Sequence, residues 1–128
     1  MALADTRFSD RRRKLAAKLS GQRIDGVLVT HLIHVRYLSG FSGSNGGLLL
    51  RKDLSALMAT DGRYTTQIAQ EVPDLKAVEG RGTGKVLLQQ FEDAQSPVRV
   101  GFEADYMSVS ELEDLKDSAP EGVTLVPV

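Results

Sequence analysis

Cysteine is missing from all 128 residues of this chain, which excludes a disulfide framework, a thiol nucleophile and a zinc ribbon. Long apolar runs are missing too, and residues 1–5 lack a basic stretch followed by an apolar core. Neither a membrane span nor a secretory leader is expected, so a cytoplasmic protein is the default. Charge of one sign is not in excess: 16 basic and 17 acidic residues leave a net charge of −1 and a pI near 6.1. No field exists to collect a polyanion, and nucleic acid is expected to bind weakly if at all. Internal repeats and low-complexity tracts are absent.

What is there fits one ordinary globular domain, with 41% hydrophobic and 26% charged residues and enough length to bury roughly two-thirds of its unfolded surface. Phe8, Leu15, Ala16 and Leu19 share a helical face over residues 8–19, with Ser9 or Asp10 as cap and Gly21 as stop. Arg11, Arg12, Arg13 and Lys14 then read as that helix's solvated face. Residues 26–29 form a short buried strand, and Thr30 can cap a helix over 31–38. Residues 47–51 and 55–60 flank Lys52-Asp53-Leu54 as an antiparallel hairpin. Residues 64–72 read as helix, stopped by Pro73. Strands at 75–79, 98–102 and 123–126 alternate with helices at 83–94 and from Ser108, where Ser108 and Glu111 make a capping box. This alternation predicts a three-layer α/β fold, with one mixed sheet and helices on both faces.

Several chemical motifs come close and fail. Gly80-Arg81-Gly82-Thr83-Gly84-Lys85-Val86 resembles a phosphate loop, yet Glu79 and Val86 stand where a glycine and a magnesium-binding hydroxyl are needed. A turn into a helix is expected instead. His31 and His34 lie one helical turn apart and could share a cation only if Asp25 or Asp61 folded nearby; otherwise they are surface or cap residues. Glu103 and Asp105, and the acidic residues from Glu111 to Asp117, read as solvated. No Gly-x-Ser-x-Gly elbow supports a hydrolytic serine.

The informative stretch is VRYLSGFSGSNGG at residues 35–47, followed by TDGRY at 60–64. Four glycines, Gly40, Gly43, Gly46 and Gly47, fix a loop ahead of a strand, and at least one of them should take positive φ. Such loops on rigid scaffolds often meet partners. The candidate contact residues are Arg36, Phe41, Ser42, Ser44, Asn45 and Arg63, with Phe41 either presented outward to a partner or buried under the loop. Arg63 is expected to clamp the loop, through Asp61 or the loop carbonyls, and Tyr64 to pack inward with its hydroxyl at the rim.

Together with the leading strand IDGVLVT at residues 24–30 and with Gln67, Glu71, Pro73 and Asp74 downstream, these motifs resemble the N-terminal domain of the creatinase, prolidase and aminopeptidase P family of pita-bread metallopeptidases. The resemblance implies a ribonuclease H-like fold and a non-catalytic domain, its parent a metal-dependent Xaa-Pro dipeptidase or aminopeptidase. It implies two divalent metal ions (manganese, cobalt or zinc) in a catalytic domain absent from this chain, and none within residues 1–128. The partners it implies are that catalytic domain, a second copy in a homodimer, and short Xaa-Pro peptides whose access the loop shapes. The apolar residues up to Val128 fall where the family enters its interdomain linker, so a severed end is expected, and the fragment alone should be inactive. Two other readings stay open: a protein-binding module of a pseudo-peptidase, and the accessory domain of a creatinase-like amidinohydrolase.

Overall fold

The computed structural model describes residues 6–80 and 82–128. Six strands form one sheet: β1 (Gly26–Val29), β2 (Gly47–Arg51), β3 (Ala56–Thr60), β4 (Lys76–Glu79), β5 (Val98–Phe102) and β6 (Val123–Pro127). Their order is β4-β3-β2-β1-β5-β6. The expected hairpin pairs Leu48 with Met58 and Leu49 with Leu57. β2 is also antiparallel to β1, while β3–β4, β1–β5 and β5–β6 are parallel. The mixed character therefore comes from β2 alone, which runs against both its neighbours.

Alternation along the strands builds two cores. Val27, Val29, Leu48 and Leu50 face one side, where they meet Leu19 of α1 (Arg7–Gly21), Val35 and Leu38 of α2 (Leu32–Ser39), and Ile68 of α3 (Thr65–Glu71). Leu28, Leu49 and Val100 face the other, against Leu87 of α4 (Thr83–Leu88) and Leu115 of α5 (Val109–Ser118). This is the predicted three-layer α/β arrangement, with period-two side chains on every central strand.

Local deviations have physical causes. The helix expected over 83–94 ends as α4 at Leu88 and tightens into a 3-10 turn, Gln89–Phe91. The helix expected from Tyr64 begins with a 3-10 turn, Gly62–Tyr64, capped by the Asp61 carboxylate. Neither Ser9 nor Asp10 caps α1, whose first turn follows Thr6 without a side-chain cap. The Ser108 hydroxyl accepts from the Glu111 N–H at 3.1 Å, as the capping box requires.

The basic run at the start of α1 is not uniformly solvated. Arg12 is 6% exposed; it donates to the Leu38 carbonyl at 2.8 Å and pairs with Asp74. A buried guanidinium needs such partners, and here it ties α1 to the end of α2 and to the turn before β4.

Candidate functional site

All strands except β2 end at one edge of the sheet, and the loop over residues 40–46 returns to that edge to start β2. Gly40 closes α2 with φ +87, a left-handed cap that glycine adopts without strain. Among the four loop glycines it alone takes positive φ.

Gly43 and Gly46 serve Phe41. Its ring is buried under the loop rather than presented outward: it is 1% exposed and belongs to the core beneath α1 and α2. Burial of the apolar ring outweighs display of it, and the glycines leave room: a Cβ on Gly46 would come within 2.7 Å of the ring and one on Gly43 would collide with it. Tyr64 meets the same ring edge-on, with centroids 5.7 Å apart, and its hydroxyl reaches Ser44 at the surface. The inward expectation for Tyr64 and the outward one for Phe41 thus part company.

Around this ring the polar side chains are held from three elements. Ser42 donates its N–H to Glu71 of α3 at 2.8 Å and its hydroxyl to the other carboxylate oxygen at 2.8 Å, while Gln67 donates to the Ser42 hydroxyl at 3.1 Å. The Asn45 side-chain amide donates to Asp61 at 2.7 Å, and its backbone carbonyl accepts from the Thr60 hydroxyl at 2.6 Å. Arg63 grips the same Asp61 through Nε at 3.0 Å and a terminal nitrogen at 2.9 Å. The clamp therefore acts through Asp61, leaving the Arg63 side chain 71% exposed. Arg36 is exposed on the last turn of α2, and its charge acts on Glu71.

These contacts fix protonation. The Arg63 guanidinium, then the Asn45 amide, hold the Asp61 carboxyl well below the usual carboxylate range. The Ser42 N–H, with the Ser42 hydroxyl and the Gln67 amide, lowers Glu71. Both act as anionic struts. The rim presents hydroxyls, an amide and a guanidinium, groups that can position a ligand by hydrogen bonds.

The histidine corner resolves differently from either expectation. Glu103, expected to be solvated, receives the N–H groups of Thr30 and His31 at 3.0 Å each and meets Nδ1 of His34. It caps α2 from the end of the neighbouring strand β5, a task expected of Thr30. His31 stacks on Tyr106 with centroids 4.0 Å apart. Neither Asp25 nor Asp61 joins the histidines, and among the described residues no three His, Cys, Asp or Glu side chains converge on a point that could hold a metal. At the failed phosphate loop Gly82 leads into α4, and Arg81 lies outside the described residues. Among the described residues no helix is long and apolar enough to cross a membrane.

The residues that Sequence analysis placed at the loop are thus brought together, except that Phe41 supports it from within and Arg36 stands apart. Glu71, Gln67 and Asp61 do the holding. Sequence inspection marked Glu71 and Gln67 only as part of a pattern, and Asp61 only as a partner for Arg63, because contacts across 16 to 29 residues leave no local signal.

Comparison with known proteins bears on this arrangement. The Creatinase/Prolidase N-terminal domain family model matches residues 11–128. The N-terminal domain of a Corynebacterium diphtheriae protein described as a metallopeptidase superposes with a TM-score of 0.90 at 56% identity, covering 96% of this chain and 97% of that one. The N-terminal domain of cytoplasmic peptidase PepQ from Mycobacterium tuberculosis H37Rv gives 0.87 at 40% identity, over 93% and 92%. An Xaa-Pro aminopeptidase from Streptococcus pyogenes gives 0.81 at 29% identity, over 94% and 92%. The peptidase YqhT of Bacillus subtilis (strain 168) is 36% identical over 88 residues, which are 66% of this chain and only 24% of that protein.

Proposed function

This chain belongs to the creatinase/prolidase N-terminal domain family, and from that membership we propose that it is the non-catalytic domain of a cytoplasmic, metal-dependent Xaa-Pro peptidase. In this reading the domain contributes to a homodimer and its loop shapes the approach of short proline-containing peptides to a catalytic pocket. The two divalent ions belong to the catalytic domain, and no step is routed through residues of this one.

The observation that carries the reading is the pinned rim. Ser42, Ser44 and Asn45 are each held by a side chain from the segment 61–71. A loop meant only to connect α2 to β2 needs no such support, whereas one that must stand at fixed height beside a substrate path does. Arg63, exposed and already oriented by Asp61, is the group best placed to meet a peptide carboxylate.

The test uses the full-length protein. Asn45→Ala and Arg63→Ala should each lower kcat/KM for Xaa-Pro dipeptides by about tenfold, ~1.4 kcal/mol of transition-state stabilisation, with metal content and thermal midpoint nearly unchanged. Wild-type kinetics in both variants, on dipeptides and on longer peptides, would leave the loop a structural feature only.

A further inference from the structure

A second concavity lies away from the glycine loop and is used by nothing described so far. The connection leaving β1 runs through α2 on one face of the sheet towards β2, and the connection leaving β5 runs through α5 on the opposite face towards β6. The adjacent, parallel ends of β1 and β5 are therefore a point where crossovers diverge, and sheets of this kind open a crevice there. A cavity of about 430 Å³ extends from those strand ends along β1, lined by α1, α2 and the segment after β5. Its size is that of a small-ligand site.

The lining has a definite polarity. Val27, Val29, Leu15 and Val128 supply an apolar floor. One wall is α1, which presents Lys14 and Lys18 a helical turn apart, beside Arg11. Arg11 is occupied, donating to the Tyr37 carbonyl at 2.8 Å and lying over that ring; Lys14 and Lys18 make no ion pair among the described residues. The segment after β5 adds Glu103 and Asp105 to the lining. Glu103 is engaged by three donors, while Asp105 makes no ion pair among the described residues. Two ammonium groups and one carboxylate that make no ion pair among the described residues therefore line the same cavity, over an apolar floor.

We propose that this cavity binds a small zwitterion of the amino-acid class, its carboxylate against Lys14 and Lys18, its ammonium towards Asp105, and an apolar side chain on Val27 and Val29. A ligand with one charge satisfies either the ammonium pair or the carboxylate and leaves the other unmet. A ligand with two, separated by a few ångströms, meets both, and the apolar floor strengthens each contact by keeping water from its flank. The site is separate from the glycine loop, so its failure would leave the access reading untouched.

The test is a methyl-detected NMR titration of the 128-residue chain with L-leucine, and with isovalerate and isoamylamine as single-charge analogues of the same side chain. L-leucine should saturate with a Kd on the order of millimolar, shifting the methyl signals of Val27, Val29 and Val128, and each analogue should bind at least about tenfold more weakly. Lys14→Glu with Lys18→Glu, and separately Asp105→Lys, should each weaken leucine about tenfold or more; these side chains lie on the surface, so an unchanged thermal midpoint will show that the fold is intact. The proposal is overturned if leucine fails to saturate by about 50 mM, if isovalerate binds as tightly as leucine, or if the wall variants bind leucine like wild type. It is also overturned if the same methyl signals move with protein concentration alone, which would mean that a second copy fills the cavity.

Discussion

Two glycine-rich segments meet at the same edge of the sheet, residues 40–47 leading into β2 and residues 80–84 leaving β4, and they use glycine for different ends. In the first, Gly43 and Gly46 make room for an aromatic ring from their own loop. In the second, a Cβ on Gly80 would strike Val86 and one on Gly84 would come within 3.0 Å of Leu115, so those glycines admit aliphatic side chains of α4 and α5. The segments touch through Gly47, where an added Cβ would lie 3.3 Å from the Thr83 hydroxyl. Glycine density alone therefore does not announce a ligand loop. What separates the segments is the polar shell: the first is tied by Glu71, Asp61 and Tyr64, and no comparable set surrounds the second among the described residues.

The sharpest way to break this contrast is to remove the ring. Phe41→Ala should destabilise the domain by about 3–5 kcal/mol, because a fully buried aromatic leaves a cavity that a glycine-lined loop cannot refill without losing its bonds to Glu71 and Asp61. Urea unfolding measures it. A loss under about 1 kcal/mol would mean that the loop collapses freely and that its shell is not rigid. Gly43→Ala attacks the same contact from the other side. The added methyl must displace the ring, at a cost of about 1–3 kcal/mol.

How far this was legible in the sequence depends on the range of the contact. The strands at 26–29 and 98–102 could be read to the residue, the first as a continuous apolar run between Asp25 and Thr30, the second as an apolar run interrupted only by the exposed Arg99. The Ser108 cap could be read because it closes within three residues. Arg12 could not: nothing in a basic run reveals that one member meets Leu38 and Asp74, 26 and 62 residues away. Glu103 was hidden likewise, its partners lying 69 to 73 residues back. Phe41 did have a signal. Glycines two and five positions after an aromatic are what a ring folded back under its own loop requires, whereas an outward ring has no need of them.

Acid should sharpen the difference in polar shells. The carboxyls of Asp61 and Glu71 ordinarily titrate at 3.8 and 4.5, and both are lowered in the fold. Their stabilisation is complete above those values and is lost as pH falls through the folded ones, because the unfolded chain then binds more protons. The thermal midpoint should fall from about pH 5 to about pH 2, and the slope should flatten in Asp61→Asn and Glu71→Gln. Parallel curves for wild type and both variants would show that neither carboxylate braces the loop.

The smallest effect is expected at Gly82, the one glycine of the second segment with neither a close neighbour nor an unusual backbone. It stands as the cap of α4 at φ −96, and an added Cβ would meet only Lys85, at 3.4 Å. Alanine there restricts the unfolded chain, a gain of about 0.4–1 kcal/mol, but is a poorer helix cap than glycine by a similar amount. Gly82→Ala should therefore change stability by less than about 0.5 kcal/mol. Gly82→Ser keeps the restriction and adds the hydroxyl that α4 lacks at its start, so it should stabilise by about 0.5–1 kcal/mol. If instead Gly82→Ala cost as much as Gly43→Ala, both segments would be equally intolerant of a methyl group, and the distinction between a loop wrapped on its own ring and a turn resting on its neighbours would fall.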